Sequence, residues 1–237
     1  MTFSLVARCE RTGMFGTAVA SSSPAVAARC SYTRADVGAV SSQNVTDPSL
    51  GVLTLNLLEK GLSATEGIDQ IKTTANHLDY RQILVIDSKG GTAIHSGNNS
   101  LGIWSEAKGV NVLSAGNLLA NPEVSRAIVE KFENASGHLG ERLITSLQGG
   151  LEAGGEAGPI HSAGMKISHK VSWPIVDLRC DWSEDCPIKK LSEAWKVYKP
   201  LINDYLQRAL DPTKAPSYGA VSYTHLRAHE TRHDLVC

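Results

Sequence analysis

The sequence predicts an α+β fold in which two largely antiparallel sheets lie between two layers of helices, a four-layer α-β-β-α sandwich. Hairpin signals dominate the strand-like stretches, which favours antiparallel pairing. Pairs of stretches with helical spacing separate the strand blocks, and such helices must cover the sheet faces. The chain has 237 residues, 42% of them hydrophobic, which is enough for a sizeable core. We expect a single domain over residues 1–220.

The first two strands form a predicted hairpin. Residues 2–9 and 15–23 are rich in β-type residues, and the sequence ERTGM between them is typical of a turn. A third apolar run covers residues 35–44. Pairing of the first two strands would bring the hydroxyls of Ser21, Ser22 and Ser23 to the sheet edge near Thr2.

A pair of helices and a second hairpin follow. From Leu50 onward, leucine and isoleucine recur at helical spacing, and a break at Gly61 divides this stretch into two helices. Ser63, with Glu66 three residues later, forms a capping box that predicts where the second helix begins. Residues 81–97 then have the pattern of a strand, a Lys-Gly-Gly turn and a second strand.

The second half repeats this alternation. A strand over residues 109–117 ends in a Gly-Asn corner, and a helix begins near Asn121–Pro122 with the proline in its first turn. A second helix begins at His138 and is closed by glycines. A strand pair and a last helix complete the chain, and Pro200 is expected to kink or break that helix.

Composition and charge exclude several classes of function. A net charge of −1 and an aromatic content of 5% indicate neither a nucleic-acid-binding surface nor an acidic-membrane-binding one. The five cysteines form no C-x-x-C pair, and the sequence contains no phosphate-binding or nucleophile-elbow motif. The start of the chain lacks the pattern of a signal peptide or membrane span. We expect a cytoplasmic protein without a cofactor or a metal.

The end of the chain contains one metal-like motif. HETRH matches the H-E-x-x-H pattern, in which His229 and His233 would bind zinc and Glu230 would act as general base. No apolar helical stripe supports the motif, and a catalytic zinc needs a shaped, dry cavity. The segment Val221–Cys237 instead resembles the translated read-through of a sequencing adapter. We therefore interpret it as a non-native tail.

Six phrases in fixed order carry a family resemblance over most of the chain. They are TFSLVAR, GTAVASSSPAV, VGAVSSQNVTDPSLG, RQILVID with AIHSG, LSAGNLL, and WPIVDLRCDW. Together, from about Thr2 to about Arg208, they resemble the family called domain of unknown function 1028 (DUF1028), which is grouped with the N-terminal-nucleophile (Ntn) hydrolases. The resemblance implies the α-β-β-α sandwich that the element order also predicts.

The resemblance further implies a mechanism. In Ntn hydrolases the first residue of the mature chain is the nucleophile, and its own α-amino group is the base. Thr2 directly follows Met1, and removal of Met1 by the usual aminopeptidase would expose it. A free α-amine has a pKa of roughly 7.7–8.0 and can accept a proton from a threonine hydroxyl. The implied reaction is hydrolysis of a small amide or related C–N bond.

Other residues are candidates for the same site. Asn117 follows a strand at a glycine corner, where its amide could form an oxyanion hole, and His95 could shuttle a proton. An Asn in a left-handed turn and a buried, satisfied His are the alternatives. We also expect a small-molecule substrate to contact polar residues near the strand ends. The predicted substrate-binding residues are Ser21, Ser22, Ser23, Arg29, Gln43, Asn44 and Asp47.

A second class of function stays open at this point. The chain could retain the Ntn fold without the chemistry, as a small-ligand-binding or structural protein. A homodimer is the expected assembly in either case. Whether Met1 is removed separates the two classes, because a retained Met1 would block the proposed base.

Overall fold

Two antiparallel sheets form the centre of the protein. The structure, a computed structural model, describes residues 1–217, so the predicted tail Val221–Cys237 and its zinc motif lie outside the described residues. The strands, in chain order, are β1 (Thr2–Arg8), β2 (Phe15–Ser21), β3 (Ser31–Arg34), β4 (Gly38–Asn44), β5 (Arg81–Asp87), β6 (Thr92–Ser96), β7 (Ser105–Gly109), β8 (Val112–Asn117), β9 (Ser162–Ser168) and β10 (Pro174–Cys180). The larger sheet has the order β10-β9-β2-β1-β8-β7, and the smaller has the order β3-β4-β5-β6.

Seven α-helices accompany the sheets. They are α1 (Val26–Cys30), α2 (Pro48–Glu59), α3 (Ala64–Thr74), α4 (Val124–Asn134), α5 (Leu139–Glu152) and α6 (Pro187–Tyr198), with α7 (Ile202–Leu210) near the end of the described residues. Helices α2 and α3 pack on the smaller sheet, whereas α4, α5 and α6 pack on the larger one. The predicted four-layer α-β-β-α sandwich with antiparallel sheets is therefore confirmed. None of the described helices is long and apolar enough to cross a membrane.

The described chain divides into two compact units at Pro200. The first unit is Met1–Lys199, and the second begins at Pro200 and contains α7. Helix α6 ends at Tyr198, and a short 3-10 turn at Lys199–Leu201 separates it from α7. Proline has no backbone N–H and clashes with the preceding turn, so the predicted break in this helix occurs where Pro200 lies.

Strand alternation sorts side chains between two cores. Val6, Phe15, Leu84, Ile86 and Leu113 fill the space between the sheets. On the other face of the smaller sheet, α2 and α3 bury a second apolar cluster whose members include Leu50, Leu55, Ile68, Ile71, Ile83 and Val85. Successive residues of a strand point to opposite faces, so the even-numbered residues of β1 face the other sheet.

The space between the sheets becomes polar at one end. The buried polar residues at that end are Thr2, Ser4, Ser21, Ser41, Gln43, Gln82 and Asn117. They come from the start of β1 and β5 and from the end of β2, β4 and β8. Buried polar groups are costly unless they are hydrogen-bonded, so this end of the sandwich is where a functional site is expected.

Three short elements differ from the predicted pattern. Helix α1 and strand β3 occupy a stretch for which no element was predicted, because each is too short to show a periodicity. The edge strand β7 has the sequence SEAKG and is partly exposed along its length, so it lacks an apolar face.

The predicted helix at Asn121–Pro122 begins later, at Val124, because the Asn121 side chain accepts the Glu123 N–H at 2.9 Å in a turn before it.

Candidate active site

Thr2 lies at the polar end of the space between the sheets. It is the first residue of β1, directly opposite Asn117 on β8, and the residue is 6% exposed. Strand β2 flanks β1 on the other side and ends at Ser21, whose hydroxyl oxygen is 3.4 Å from that of Thr2. The structure therefore brings together three of the predicted site residues: Thr2, Ser21 and Asn117.

Met1 covers the Thr2 hydroxyl. The hydroxyls of Thr2 and Ser21 both donate hydrogen bonds to the carbonyl oxygen of Met1. The backbone N–H of Ser23 donates to the Ser21 hydroxyl at 3.0 Å and fixes its position. Met1 itself is 37% exposed. Removal of Met1 would thus free an amine beside two hydroxyl groups and open this position to solvent.

A network of buried amides forms the side of the site that faces the smaller sheet. The Asn117 amide donates to the side-chain carbonyl of Gln82 at 2.9 Å, and the Gln43 amide donates to the same oxygen at 3.2 Å. Gln82 in turn donates to the carbonyl of Gly116 at 3.1 Å. An amide NH₂ carries two donors, and the bond to Gln82 uses one of those on Asn117. The predicted residue Gln43 belongs to this network through Gln82.

Glu156 is a buried carboxylate beside the same site. It is 5% exposed, and its two oxygens accept the backbone N–H of Ser22 at 3.1 and 3.2 Å. Burial raises the pKa of the Glu156 carboxyl to about 7, while the Met1 ammonium, the Ser22 N–H and His161 partly oppose the rise. A bridge between Leu119 and Glu156 anchors this loop just past the end of β8. Near neutral pH, Glu156 can therefore hold or release a proton.

An aromatic pair stands next to Glu156. The His161 ring stacks on Trp182 at a centroid distance of 4.4 Å, and its Nδ1 lies 3.0 Å from the carbonyl oxygen of Ser183. The backbone N–H of His161 donates to the Ser21 carbonyl at 2.8 Å. A backbone hydrogen bond therefore links His161 to Ser21 of the site.

Three predicted substrate-binding residues have structural partners instead. Arg29 donates to the backbone carbonyls of Pro24 and Ala25, at 2.6 and 3.2 Å. Asn44 has a left-handed backbone (φ 75°), donates to the Tyr80 carbonyl and accepts the Leu101 N–H. Asp47 caps α2 by accepting the Ser49 N–H at 3.0 Å. The structure does not bring these three side chains to Thr2.

The structure also does not bring His95 to Thr2. His95 pairs with Ile83 across β5 and β6, so its side chain lies on the face of the smaller sheet that the helices cover. Its Nε2 is 3.0 Å from the carbonyl oxygen of Leu78. The amide network and Thr2 lie on the other face of the same sheet.

The buried thiol of Cys30 is unsuited to act as a nucleophile in place of Thr2. Burial raises the pKa of the Cys30 thiol to about 11, although the Thr46 hydroxyl, Arg29 and the Met1 ammonium oppose the rise. The thiolate is the reactive form of cysteine, so a thiol with a raised pKa is inert near neutral pH.

Sequence reasoning missed Gln82, Glu156 and His161. Gln82 is a polar residue in the apolar strand QILVID, and strand alternation places it on the same face as Leu84 and Ile86. A polar residue on the core-facing side of an apolar strand can be recognised from the sequence, and it indicates a buried polar site. Glu156 lies in a glycine-rich loop, where a carboxylate carries no pattern that indicates burial, and His161 precedes β9 without a recognisable motif.

The chain is similar to one family and to several solved structures. Residues 2–191 match the family of unknown function DUF1028. The crystal structure of protein SPO2555 from Silicibacter pomeroyi, which carries the same family name, is 26% identical with a TM-score of 0.78, and the match covers 88% of this chain and 93% of that chain. No curated protein matches the chain.

More distant structures also match. Anbu, an ancestral beta-subunit, from Yersinia bercovieri is 12% identical with a TM-score of 0.38 over 86% of this chain and 97% of that chain. Anbu from Hyphomicrobium sp. strain MC1 is 10% identical with a TM-score of 0.38 over 91% and 99% of the two chains. A TM-score of this size is too low to transfer a property from one chain to the other.

Proposed function

The chain belongs to the DUF1028 family, and from that premise we propose that it is an Ntn-type hydrolase of a small amide or related C–N bond, with Thr2 as the nucleophile once Met1 is removed. One observation carries the proposal. Thr2 lies buried at the polar end between the two sheets, where Ser21 and Asn117 flank it. A threonine that served only a strand would need neither neighbour.

The α-amine of Thr2 is the proposed base. Such an amine has a pKa of roughly 7.7–8.0, so part of it is unprotonated near neutral pH. It takes the proton of the Thr2 hydroxyl as the oxygen attacks the substrate carbonyl, and it returns that proton to the leaving amine. The Ser21 hydroxyl, 3.4 Å from that of Thr2, supports the proposal because it provides a second hydrogen-bond donor beside the nucleophile.

Asn117 is the proposed oxyanion donor. It lies opposite Thr2, and Gln82 holds its amide in place through a 2.9 Å hydrogen bond. A fixed amide donor stabilises the negative charge that develops on the carbonyl oxygen in the transition state. Water then hydrolyses the ester formed on Thr2 and releases the acid.

The acylation of Thr2 tests the proposal. We expect a Met1-free preparation, incubated with a reactive ester such as p-nitrophenyl acetate, to carry an acetyl group on its N-terminal residue. The Thr2→Ala variant keeps a free α-amine and should be acetylated at this position only at the slow rate of an unassisted amine. Acetylation of other residues without acetylation of the N-terminal residue would argue against Thr2 as the nucleophile.

One observation favours the second candidate, a non-catalytic protein that binds a small ligand. With Met1 present, the Thr2 hydroxyl is buried and already hydrogen-bonded to the Met1 carbonyl. If Met1 stays on the purified protein, no free amine is available as the base. Mass spectrometry of the N-terminal peptide separates the two candidates.

We further propose that the protein is a homodimer, that it is located in the cytoplasm and that its substrate is a small molecule. The four cysteines of the described residues are free thiols, which fits a reducing compartment. Analytical ultracentrifugation tests the dimer, and a monomer at micromolar concentration would overturn that part of the proposal.

A further inference from the structure

Met1 occupies the space in front of the Thr2 hydroxyl. Its carbonyl oxygen accepts the hydroxyls of Thr2 and Ser21, and its side chain lies beside Gly158. The nitrogen and the hydroxyl oxygen of a threonine can share one carbonyl carbon in a five-membered ring. An acyl group carried on the oxygen therefore fills nearly the same space as one carried on the nitrogen. Met1 thus stands in for the acyl group of a substrate bound to Thr2.

Glu156 supplies an uncommitted carboxylate beside this acyl position, since it lies two residues before Gly158 and binds the N–H of Ser22, the neighbour of Ser21. Both of its oxygens accept the same Ser22 N–H, so lone pairs remain free. Asp87, the other buried carboxylate among the described residues, instead accepts the backbone N–H groups of Ala64, Lys89 and Gly91. Burial raises the pKa of the Glu156 carboxyl and the Met1 ammonium partly opposes the rise, which agrees with this placement.

The side-chain end of the acyl position is bounded by a glycine. A Cβ built on Gly158 would lie 3.7 Å from Cε and 4.0 Å from Sδ of Met1, which is ordinary van der Waals contact. A longer side chain at position 158 would enter the space that the Met1 thioether occupies. The position therefore has room for an unbranched apolar side chain.

From these contacts we infer that the site accepts acyl groups with a free α-amino group, so that the substrates are aminoacyl amides whose ammonium group is held by Glu156. This inference rests on the proposed function, because it names the substrate class of the same site. Ser21 binds the carbonyl of the aminoacyl group, and the surface beside Gly158 contacts its side chain.

The reaction is balanced without a further co-reactant. The Thr2 oxygen forms an ester bond to the aminoacyl carbonyl carbon, the amide C–N bond breaks, and the leaving amine takes the hydroxyl proton. Water then attacks the ester carbonyl, the Thr2 oxygen regains a proton, and a free amino acid is released. No group is oxidised or reduced.

Two matched substrates test the inference on the Met1-free protein. Alanine p-nitroanilide and propionyl p-nitroanilide differ only in the α-amino group. We expect kcat/KM for the alanine compound to be at least tenfold higher, and Glu156→Gln to reduce this ratio at least fivefold. The matched control is Glu184→Gln, since Glu184 is near His161 but its side chain is 79% exposed; this variant should leave the ratio unchanged.

A second variant probes the side-chain end independently. Gly158→Leu should lower the hydrolysis of methionine p-nitroanilide at least tenfold relative to that of glycine p-nitroanilide. Equal effects on the two compounds would contradict the position assigned to the substrate side chain. A circular-dichroism melt of each variant shows that it is folded.

The outcomes separate this inference from the proposed function. If p-nitrophenyl acetate acetylates Thr2 but the alanine compound has no advantage, or neither anilide reacts, the aminoacyl inference is overturned and the proposed function stands. If neither anilide reacts and Thr2 stays unlabelled, both are overturned. A preference for the alanine compound that persists in Glu156→Gln would overturn the role of Glu156.

Discussion

Thr2 and Asn117 lie directly opposite each other in the antiparallel pair of β1 and β8, and both side chains face the smaller sheet. The two residues are far apart in sequence, so the register of a single strand pair sets the distance between the proposed nucleophile and the proposed oxyanion donor. A slip of β8 by one residue would turn the Asn117 side chain toward the helices and away from Thr2. The apolar core between the sheets, which includes Val6 and Leu113, fixes this register.

Replacement of Thr2 should show how much of the activity depends on its hydroxyl group. We expect Thr2→Ala to lower kcat/KM by on the order of a thousandfold or more, because the nucleophile is lost. The matched variant Thr2→Ser keeps the hydroxyl and should retain measurable activity. Steady-state hydrolysis of an amide substrate, with N-terminal mass confirming Met1 removal, makes the comparison. Equal activity of Thr2→Ala and the parent protein would contradict the assignment.

Removal of the Asn117 amide should affect the chemical step. For Asn117→Ala we expect kcat to fall by about 10²–10³-fold, the range found when one oxyanion donor is lost. The variant Gln82→Leu is the control, since it removes the partner of Asn117 but keeps the donor, and its kcat should fall much less. The comparison is valid only at matched thermal stability, because each change also alters a buried amide network. Similar losses in both variants would point to a structural role for Asn117.

Glu156 should make stability depend on pH. Its folded-state pKa is raised from the ordinary value of 4.5 to about 7 by burial, so the folded state holds the proton more tightly than the unfolded state. Its contribution is fully present below pH 4.5 and is lost as the pH rises through about 7. Relative to Glu156→Gln, the parent protein should lose about 3 kcal/mol of unfolding free energy over this range.

Urea unfolding of the two proteins at several pH values measures this difference. The groups that titrate in both proteins cancel to first order when the two free energies are subtracted. A difference that stays constant between pH 4.5 and about 7 would contradict the burial of an uncompensated Glu156 carboxyl.

The capping box at the start of α3 should contribute measurably to stability. The Ser63 hydroxyl accepts the Glu66 N–H, and the Glu66 carboxylate accepts the Ser63 N–H. We expect Ser63→Ala to lower the free energy of unfolding by about 1 kcal/mol. Thr73→Ala, at an exposed position of the same helix, should change it by less than about 0.5 kcal/mol. Similar values for the two variants in urea unfolding would argue against the cap.

Local signals explain how much of the fold was predictable. The capping box of Ser63 and Glu66, the turn after Asp87 and the break at Pro200 each depend on residues close in sequence, and the structure contains all three. The edge strand β7 was not predictable, because its residues 105–109 are polar or partly exposed.

The site was predictable only in part, for a physical reason. Thr2 and Ser21 belong to neighbouring strands of one hairpin, so their proximity follows from local pairing. Asn44 and Asp47 also follow a strand, but their side chains complete backbone turns, a use that sequence does not distinguish from ligand binding. Glu156 reaches the site through a loop whose path depends on contacts with Leu119 and Ser22, which are far away in sequence.

The mass of the N-terminal peptide after reaction with an acylating ester tests the central claim most directly. The account predicts that Met1 is absent and that the acyl group is attached to Thr2, in an amount that falls to background in Thr2→Ala. A peptide that retains Met1, or a Met1-free peptide that stays unlabelled while the ester modifies other residues, would contradict it.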